Sequence, residues 1–294
     1  MAEILVTPVE APGTASGDND TVSGDNELGK WYFAVDSGNP KFPPAPVLEP
    51  RMHANRSRTE SNELKDRNDM NQYHKLYTPE DSAVVFIDQQ PQMTFGMASA
   101  DRATMINNVT LLAKVAKEFK VPTVLTAVET ESFSGYIWPQ LLDIFPGQPI
   151  VERTSMNSWD DPGFRKAIEA TGRKNILMTG LWTEVCITWP TIEMLGAGYN
   201  VYVVEDCCGA TSPAAQEAAL SRMVQAGAVR LTTIAALLEW QRDWAKRDHY
   251  NNLMGLLKQQ AGAYGVGVEY AYTMVHHAPQ SAQKPQVVPK KAAH

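Results

Sequence analysis

Asn175–Leu195 reads NILMTGLWTEVCITWPTIEML. The run Ile176–Met178 suits a buried strand, and Thr179-Gly180 breaks it. From about Thr183 the apolar residues Val185, Ile187, Ile192 and Leu195 fall at helical spacing. Cys186 therefore sits where a turn becomes a helix. A helix start presents unpaired N–H groups and partial positive charge, which favour thiolate and can hold an oxyanion. The plainer alternative is a small buried residue on a crossover helix, so the rest of the chain must decide between them.

Outward from this stretch, strand and helix patterns alternate. Ala83–Ile87 is an apolar run closed by Asp88, and Ile106–Phe119 has helical spacing. Val121–Val128 is a second strand, Tyr136–Phe145 a short helix and Pro149–Arg153 a third strand. Gly163–Ala170 is helical and Ile176–Met178 is the fourth strand. Tyr199–Val204 is a fifth strand, Ala214–Ala226 a helix, Val229–Thr233 a sixth strand and Ile234–Trp244 a closing helix. This order predicts a three-layer α/β/α domain around a six-stranded, mainly parallel sheet, Rossmann-like, with ligands at the carboxyl ends of the strands.

The flanks differ from this core. Residues 1–75 read as an extended, partly irregular arm. It carries a Gly/Ser/Asp/Asn-rich stretch, an apolar Trp31-Tyr32-Phe33 island and a proline-rich segment Pro40–Pro50. The core α/β domain is placed at 76–247. In the remainder, 248–294, Asn251–Gln260 is helical, Gly262–Gly267 flexible and Gln280–His294 a mobile end.

The chain has 294 residues, 44% of them hydrophobic, and a net charge of −7. Nothing in that balance provides a footprint for nucleic acid or an anionic membrane. No run is apolar enough to span a bilayer, and the first residues do not resemble a secretory signal. Three cysteines, two of them the adjacent Cys207 and Cys208 that follow the fifth strand, make a poor disulfide framework. A reducing, cytoplasmic setting is expected.

Asp88, Arg153 and Cys186 all fall at strand carboxyl ends. An acid beside a thiol can take its proton, and a cation near both orients the pair. The apolar neighbours Phe86 and Ile87 should raise the Asp88 pKa. No histidine lies between Leu76 and Asp248. A Cys–His or Ser–His–Asp site built within the core is thereby excluded, as is a histidine-based zinc site. A thiol enzyme here must use a carboxylate base. No GxGxxG or P-loop follows the first strand. Glu184 is either a second acid or a complement to the helix dipole. Phe95, Phe133, Tyr136, Trp138, Trp159 and Trp182 are placed in loops around the same edge.

VVFIDQQ around Asp88, VERTSMNSW around Arg153, and TGLWTEVCITWPTIEMLGAGYNVYVVEDCCGA around Cys186 resemble the isochorismatase-like cysteine hydrolases, from about Tyr77 to Trp244. That superfamily includes nicotinamidases and N-carbamoylsarcosine amidases. Within it, the chain most resembles bacterial octameric hydrolases of unknown specificity. The resemblance implies Cys186 as nucleophile, Asp88 as acid/base, and Arg153 where most of the family has lysine. It implies a cis peptide at Leu181–Trp182, which aims the Trp182 and Cys186 amides as an oxyanion hole. Gln90, Phe95, Phe133, Asn157, Trp159 and Glu184 are the candidate pocket residues. The metal ligands of nicotinamidases have no counterpart, so neither a metal nor any other cofactor is expected.

The implied function is hydrolysis of a small amide or related C–N bond through a thioester at Cys186. The partners implied are a small-molecule substrate and further copies of the chain, up to an octamer, with the arm contacting a neighbour. Two alternatives stay open. One is a catalytically idle or redox-sensing oligomer. The other is vinyl-ether hydrolysis of the isochorismatase type, which needs no cysteine.

Overall fold

The computed structural model describes residues 76–275. The stretches read as an arm, and the segment Gln280–His294, lie outside the described residues. Six strands form one sheet: β1 (Ser82–Ile87), β2 (Thr123–Val128), β3 (Ile150–Arg153), β4 (Asn175–Leu181), β5 (Asn200–Gly209) and β6 (Val229–Leu231). Their order is β3-β2-β1-β4-β5-β6 and each neighbouring pair is parallel. The expected mainly parallel sheet is thus wholly parallel. The strand order reverses between β1 and β4, which makes the gap above their carboxyl ends the natural binding crevice.

The connecting helices are α1 (Pro91–Phe95), α2 (Arg102–Glu118), α3 (Pro139–Leu142), α4 (Pro162–Ala170), α5 (Thr188–Gly196), α6 (Pro213–Gln225) and α7 (Thr233–Gln241). Right-handed crossovers put α2 and α3 on one face of the sheet and α4, α5 and α6 on the other. Accordingly, α2 packs with α7 while α5 packs with α6. The helix starts follow from local chemistry. Asp101, Asp161 and Ser212 accept hydrogen bonds from the N–H groups of Thr104, Phe164 and Ala215, and Pro162 and Pro213 open α4 and α6.

All six residues of β1 are buried, because a parallel strand is covered on both faces. Phe86 and Ile87 are completely buried, and each contributes about 1.5–3 kcal/mol by leaving water. This core fixes the strand from whose end Asp88 projects.

Three readings need correction. First, β5 runs on to Gly209, so Cys207 and Cys208 lie in the strand and not after it. Its register slips: Met178 faces Val203, but Gly180 already faces Cys208. The slip accommodates Asp206, whose Oδ1 accepts from the Thr233 N–H and hydroxyl at the start of α7. The apolar run ending at Val204 hid this extension, since polar Glu205-Asp206 interrupts it.

Second, Gly262–Gly267 is not a flexible link. After α8 (Tyr250–Gln260), the helix α9 (Gly262–Tyr270) turns back on α8. A side chain at Gly265 would meet the Leu257 carbonyl at 2.4 Å, so that glycine permits the close crossing. Leu253 and Leu257 are buried, and His249 and Asn252 both reach Glu118 of α2. Third, α7 ends at Gln241, not Trp244; Arg242, at φ 60°, leaves the helix in the left-handed region.

Candidate active site

The strand ends bring one acidic and one basic group into direct contact. Asp88 follows β1, with φ 56°, a left-handed conformation that aspartate tolerates better than most residues. Arg153 is the last residue of β3, two strands away. Its guanidinium reaches past β2, and Nη2 donates to Asp88 Oδ1 and Oδ2 at 2.7 Å each. Nη1 donates to the Ser155 carbonyl, and Nε is buried without a partner. Both side chains of the pair have 0% exposure.

Cys186 enters the same group from β4. It lies in a single wide turn, Thr183–Ile187, that precedes α5. The Trp182 carbonyl accepts from the Val185 and Ile187 N–H groups at 3.1 and 3.4 Å, and the Cys186 N–H is not among its donors. The Leu181–Trp182 peptide is cis, as the resemblance implied. Gly180 makes the approach possible. Its φ is 148°, and a Cβ there would stand 2.1 Å from the Ile87 carbonyl oxygen, one residue before Asp88.

The Cys186 thiol is electrostatically coupled to the Asp88 carboxylate, to Arg153 and to the Trp182 backbone. Burial pushes Asp88 up to about 6; Arg153 and Cys186 pull the other way but do not win. Burial, then the Asp88 charge, pushes the Cys186 thiol up to about 12, against the pull of Arg153 and the Trp182 backbone. The expected thiolate is therefore overturned. With Cys186 3% exposed, the field of a helix start does not outweigh desolvation. Near neutral pH the trio rests as thiol, carboxylate and guanidinium.

The other sequence candidates divide. Gln90 is buried and fully engaged: Nε2 donates to the Val128 and Gly135 carbonyls, and Oε1 accepts from the Val128 N–H. It ties the β2–α3 loop to the segment bearing Asp88. Asn157 caps the short turn Ser158–Asp160 through the Trp159 N–H, and it donates to Glu193 of α5. Glu184 Oε1 accepts from the Thr211 N–H and hydroxyl, while Oε2 is buried without a partner.

The aromatic residues do not form one cluster. Phe95, Phe133 and Tyr136 stand 71, 57 and 63% exposed on α1 and the β2–α3 loop. Trp138 is buried and donates to Thr94, and the Trp182 indole donates to the Met93 carbonyl. Trp159, half-buried, packs edge-on against Phe164 of α4 and Tyr199 at the amino end of β5. Loop position alone did not separate rim from core.

Sequence reading passed over Gln89. It is completely buried, its Nε2 donates to Thr179 Oγ1 at 3.2 Å, and its Oε1 has no partner. The available signal was a pair of amides directly after Asp88, at the end of a strand that is otherwise apolar.

No group of three or more His, Cys, Asp and Glu side chains among the described residues is arranged to hold a metal ion. No helix among them is long and apolar enough to cross a membrane.

Comparison with known proteins places this geometry. The isochorismatase domain family matches residues 82–235. A relative from Escherichia coli K12, "Probable hydrolase YcaC", is 34% identical over 165 residues, 56% of this chain and 79% of that protein. The solved structure of E. coli YcaC, described as an octameric hydrolase of unknown specificity, superposes with a TM-score of 0.64 at 30% identity, covering 68% of this chain and 97% of that one. YcaC from Pseudomonas aeruginosa, solved with hexane-2,5-diol and covalent acrylamide, gives 0.64 at 32%, covering 66% and 96%. With more than half its length matched, and Asp88, Arg153 and Cys186 all inside the matched span, the chain is a hydrolase of the isochorismatase domain family.

Proposed function

We propose that the chain hydrolyses a small amide or related C–N bond through a thioester at Cys186. The observation that carries this reading is the buried Asp88 carboxylate, which accepts from Arg153 Nη2 at 2.7 Å and is electrostatically coupled to the Cys186 thiol. Asp88 accepts the thiol proton as the sulfur attacks the substrate carbonyl, so no free thiolate is needed beforehand. The Trp182 and Cys186 amides stabilise the oxyanion. As the tetrahedral intermediate collapses, the C–N bond breaks and Asp88 returns the proton to the departing nitrogen. Asp88 then takes a proton from water as that water attacks the thioester; the acid leaves and the sulfur recovers its proton. Arg153 stays charged throughout, holding the carboxylate in place without exchanging protons.

The raised Asp88 pKa supports a role as both acid and base, since a group near 6 gives and takes protons readily at neutral pH. A thiol in such a site is also a target for electrophiles, and a P. aeruginosa relative carries covalent acrylamide. Replacing Cys186 with alanine should abolish ammonia release from an amide panel while leaving the circular dichroism spectrum unchanged. Turnover that persists in this variant excludes the thioester and favours the vinyl-ether reaction.

We further infer a homo-oligomer, because E. coli YcaC is described as octameric and this chain covers 97% of it. Light scattering on the full chain tests this, and a monomer at micromolar concentration would refute it.

A further inference from the structure

The helix α9 is apolar on the face it turns to water. Across α9 and the wide turn Ala271–Val275 that continues it, Glu269 is the one charged side chain. The inner face packs on α8, where Gly265 and Val268 are buried. Glu269 pairs with Lys258 of α8 at 2.9 Å, and the same ammonium stands 4.0 Å over the Tyr272 ring. These contacts fix the rotation of α9 about its own axis.

The outer face then carries Ala263, Val266, Gly267, Tyr270 and Met274, all exposed. Val266, Tyr270 and Met274 stand 60, 64 and 65% exposed. Steps of three and four residues put the five on a single stripe. A helix at the surface of a self-sufficient domain is polar on its outer side, whereas one that is apolar all round is covered all round.

The make-up of the stripe selects its cover. It bears no charge, so two copies meet there without repulsion, and it offers no Lys or Arg to an anionic lipid surface. It is also graded in size. Ala263 and Gly267 are small and lie toward the amino end, while Tyr270 and Met274 are large and lie toward the other. Two stripes laid antiparallel about a twofold axis bring Met274 of one copy onto Ala263 of the other, and Tyr270 onto Gly267. The axis repeats both contacts. A parallel pair would set Tyr270 against Tyr270 and leave a gap between the two Gly267 positions. Five residues are fewer than the about 20–30 a side of a self-standing interface. The stripe therefore joins copies that other contacts also hold.

We propose that the outer stripe of α9 packs on the same stripe of a second copy of this chain, antiparallel about a twofold axis. This rests on the homo-oligomer reading and deepens it by assigning a contact surface.

Light scattering on the full chain reads the mass of the assembly. Met274→Glu sets a carboxylate opposite Ala263, and Ala263→Lys sets an ammonium opposite Met274. Each alone buries an unpaired charge and should lower the mass at least about two-fold. Combined in one chain, the two charges face each other across the axis, and the wild-type mass should return. Within one chain these positions are eleven residues apart, about 16 Å along a helix, too far to pair. The rescue therefore reports contact between copies. Both positions face water, so the circular dichroism spectrum should stay that of the wild type.

An oligomeric wild type whose mass neither single substitution changes overturns this contact alone. Wild-type binding to phosphatidylcholine vesicles that Met274→Glu abolishes would then give the stripe to a lipid surface. A mass lowered by each substitution and not restored by the pair overturns the inference as well. A monomeric wild type overturns it together with the homo-oligomer reading.

Discussion

Arg153 Nη2 bridges both oxygens of Asp88 at 2.7 Å, from two strands away, and neither side chain reaches solvent. A buried ion pair of this kind adds little net stability, because desolvation offsets most of the attraction. Its effect here is positional: it pins the carboxylate whose charge acts on the Cys186 thiol.

Breaking one half of the pair should be costly, and removing both halves less so. Asp88→Asn or Arg153→Met alone leaves a buried group uncompensated and should cost about 3–5 kcal/mol. The double variant should recover much of that loss while remaining inactive. Denaturant unfolding of the three variants gives the double-mutant cycle, and simple additivity would contradict the coupling.

Activity should rise with pH through about 6, because Asp88 must be ionised to take the thiol proton. No alkaline fall is expected below about 10, since the Cys186 thiol is pushed up to about 12. The measurement is kcat/KM against pH on any turned-over amide. An acidic limb near 4 would mean that burial does not control Asp88.

Stability carries the matching sign. The folded Asp88 pKa is raised above its ordinary 3.8, so between about pH 4 and 6 the native state holds a proton that the unfolded chain has released. The contribution of Asp88 is therefore most favourable below that window and is lost as pH rises through it. The stability difference between wild type and Asp88→Asn should shrink across the same interval, and chemical denaturation at several pH values measures it.

Arg153→Lys keeps the charge but loses the planar fork that lets one guanidinium meet both oxygens and the Ser155 carbonyl. A fall in kcat/KM of about ten-fold, with the acidic limb moved to higher pH, is expected. An unchanged profile would mean that charge alone suffices.

Gly180→Ala should be among the most damaging small substitutions. The new methyl group would meet the Ile87 carbonyl at 2.1 Å, from a φ that side-chain-bearing residues rarely adopt. Strain and overpacking together should cost about 2–5 kcal/mol, visible as a lowered Tm. A variant of wild-type stability would show that the β1–β4 contact is looser than described.

The chemistry of the site was legible because each residue announced its place. Asp88 closes an apolar run, Arg153 ends another, and Cys186 follows the Thr179-Gly180 break. The state of the thiol was not legible. The helix-start argument predicted a thiolate, but how much water the sulfur loses depends on neighbours far apart in sequence. Likewise Trp159 looks like Trp182 in sequence, and only its packing against Phe164 and Tyr199 sets the two apart. The flexible reading of Gly262–Gly267 failed because glycine there serves close helix packing.

Taken alone, the order of residues determined the alternation of elements, the parallel sheet and which three side chains stand at strand ends. Those follow from local hydrophobic period and from connection rules that need no coordinates. Tertiary structure decided what those side chains do to one another. Arg153 lies 65 positions from Asp88, and only the strand order puts its guanidinium on the carboxylate. Proton affinities and unpaired acceptors are properties of that shared, water-poor space, and no local stretch of sequence contains them.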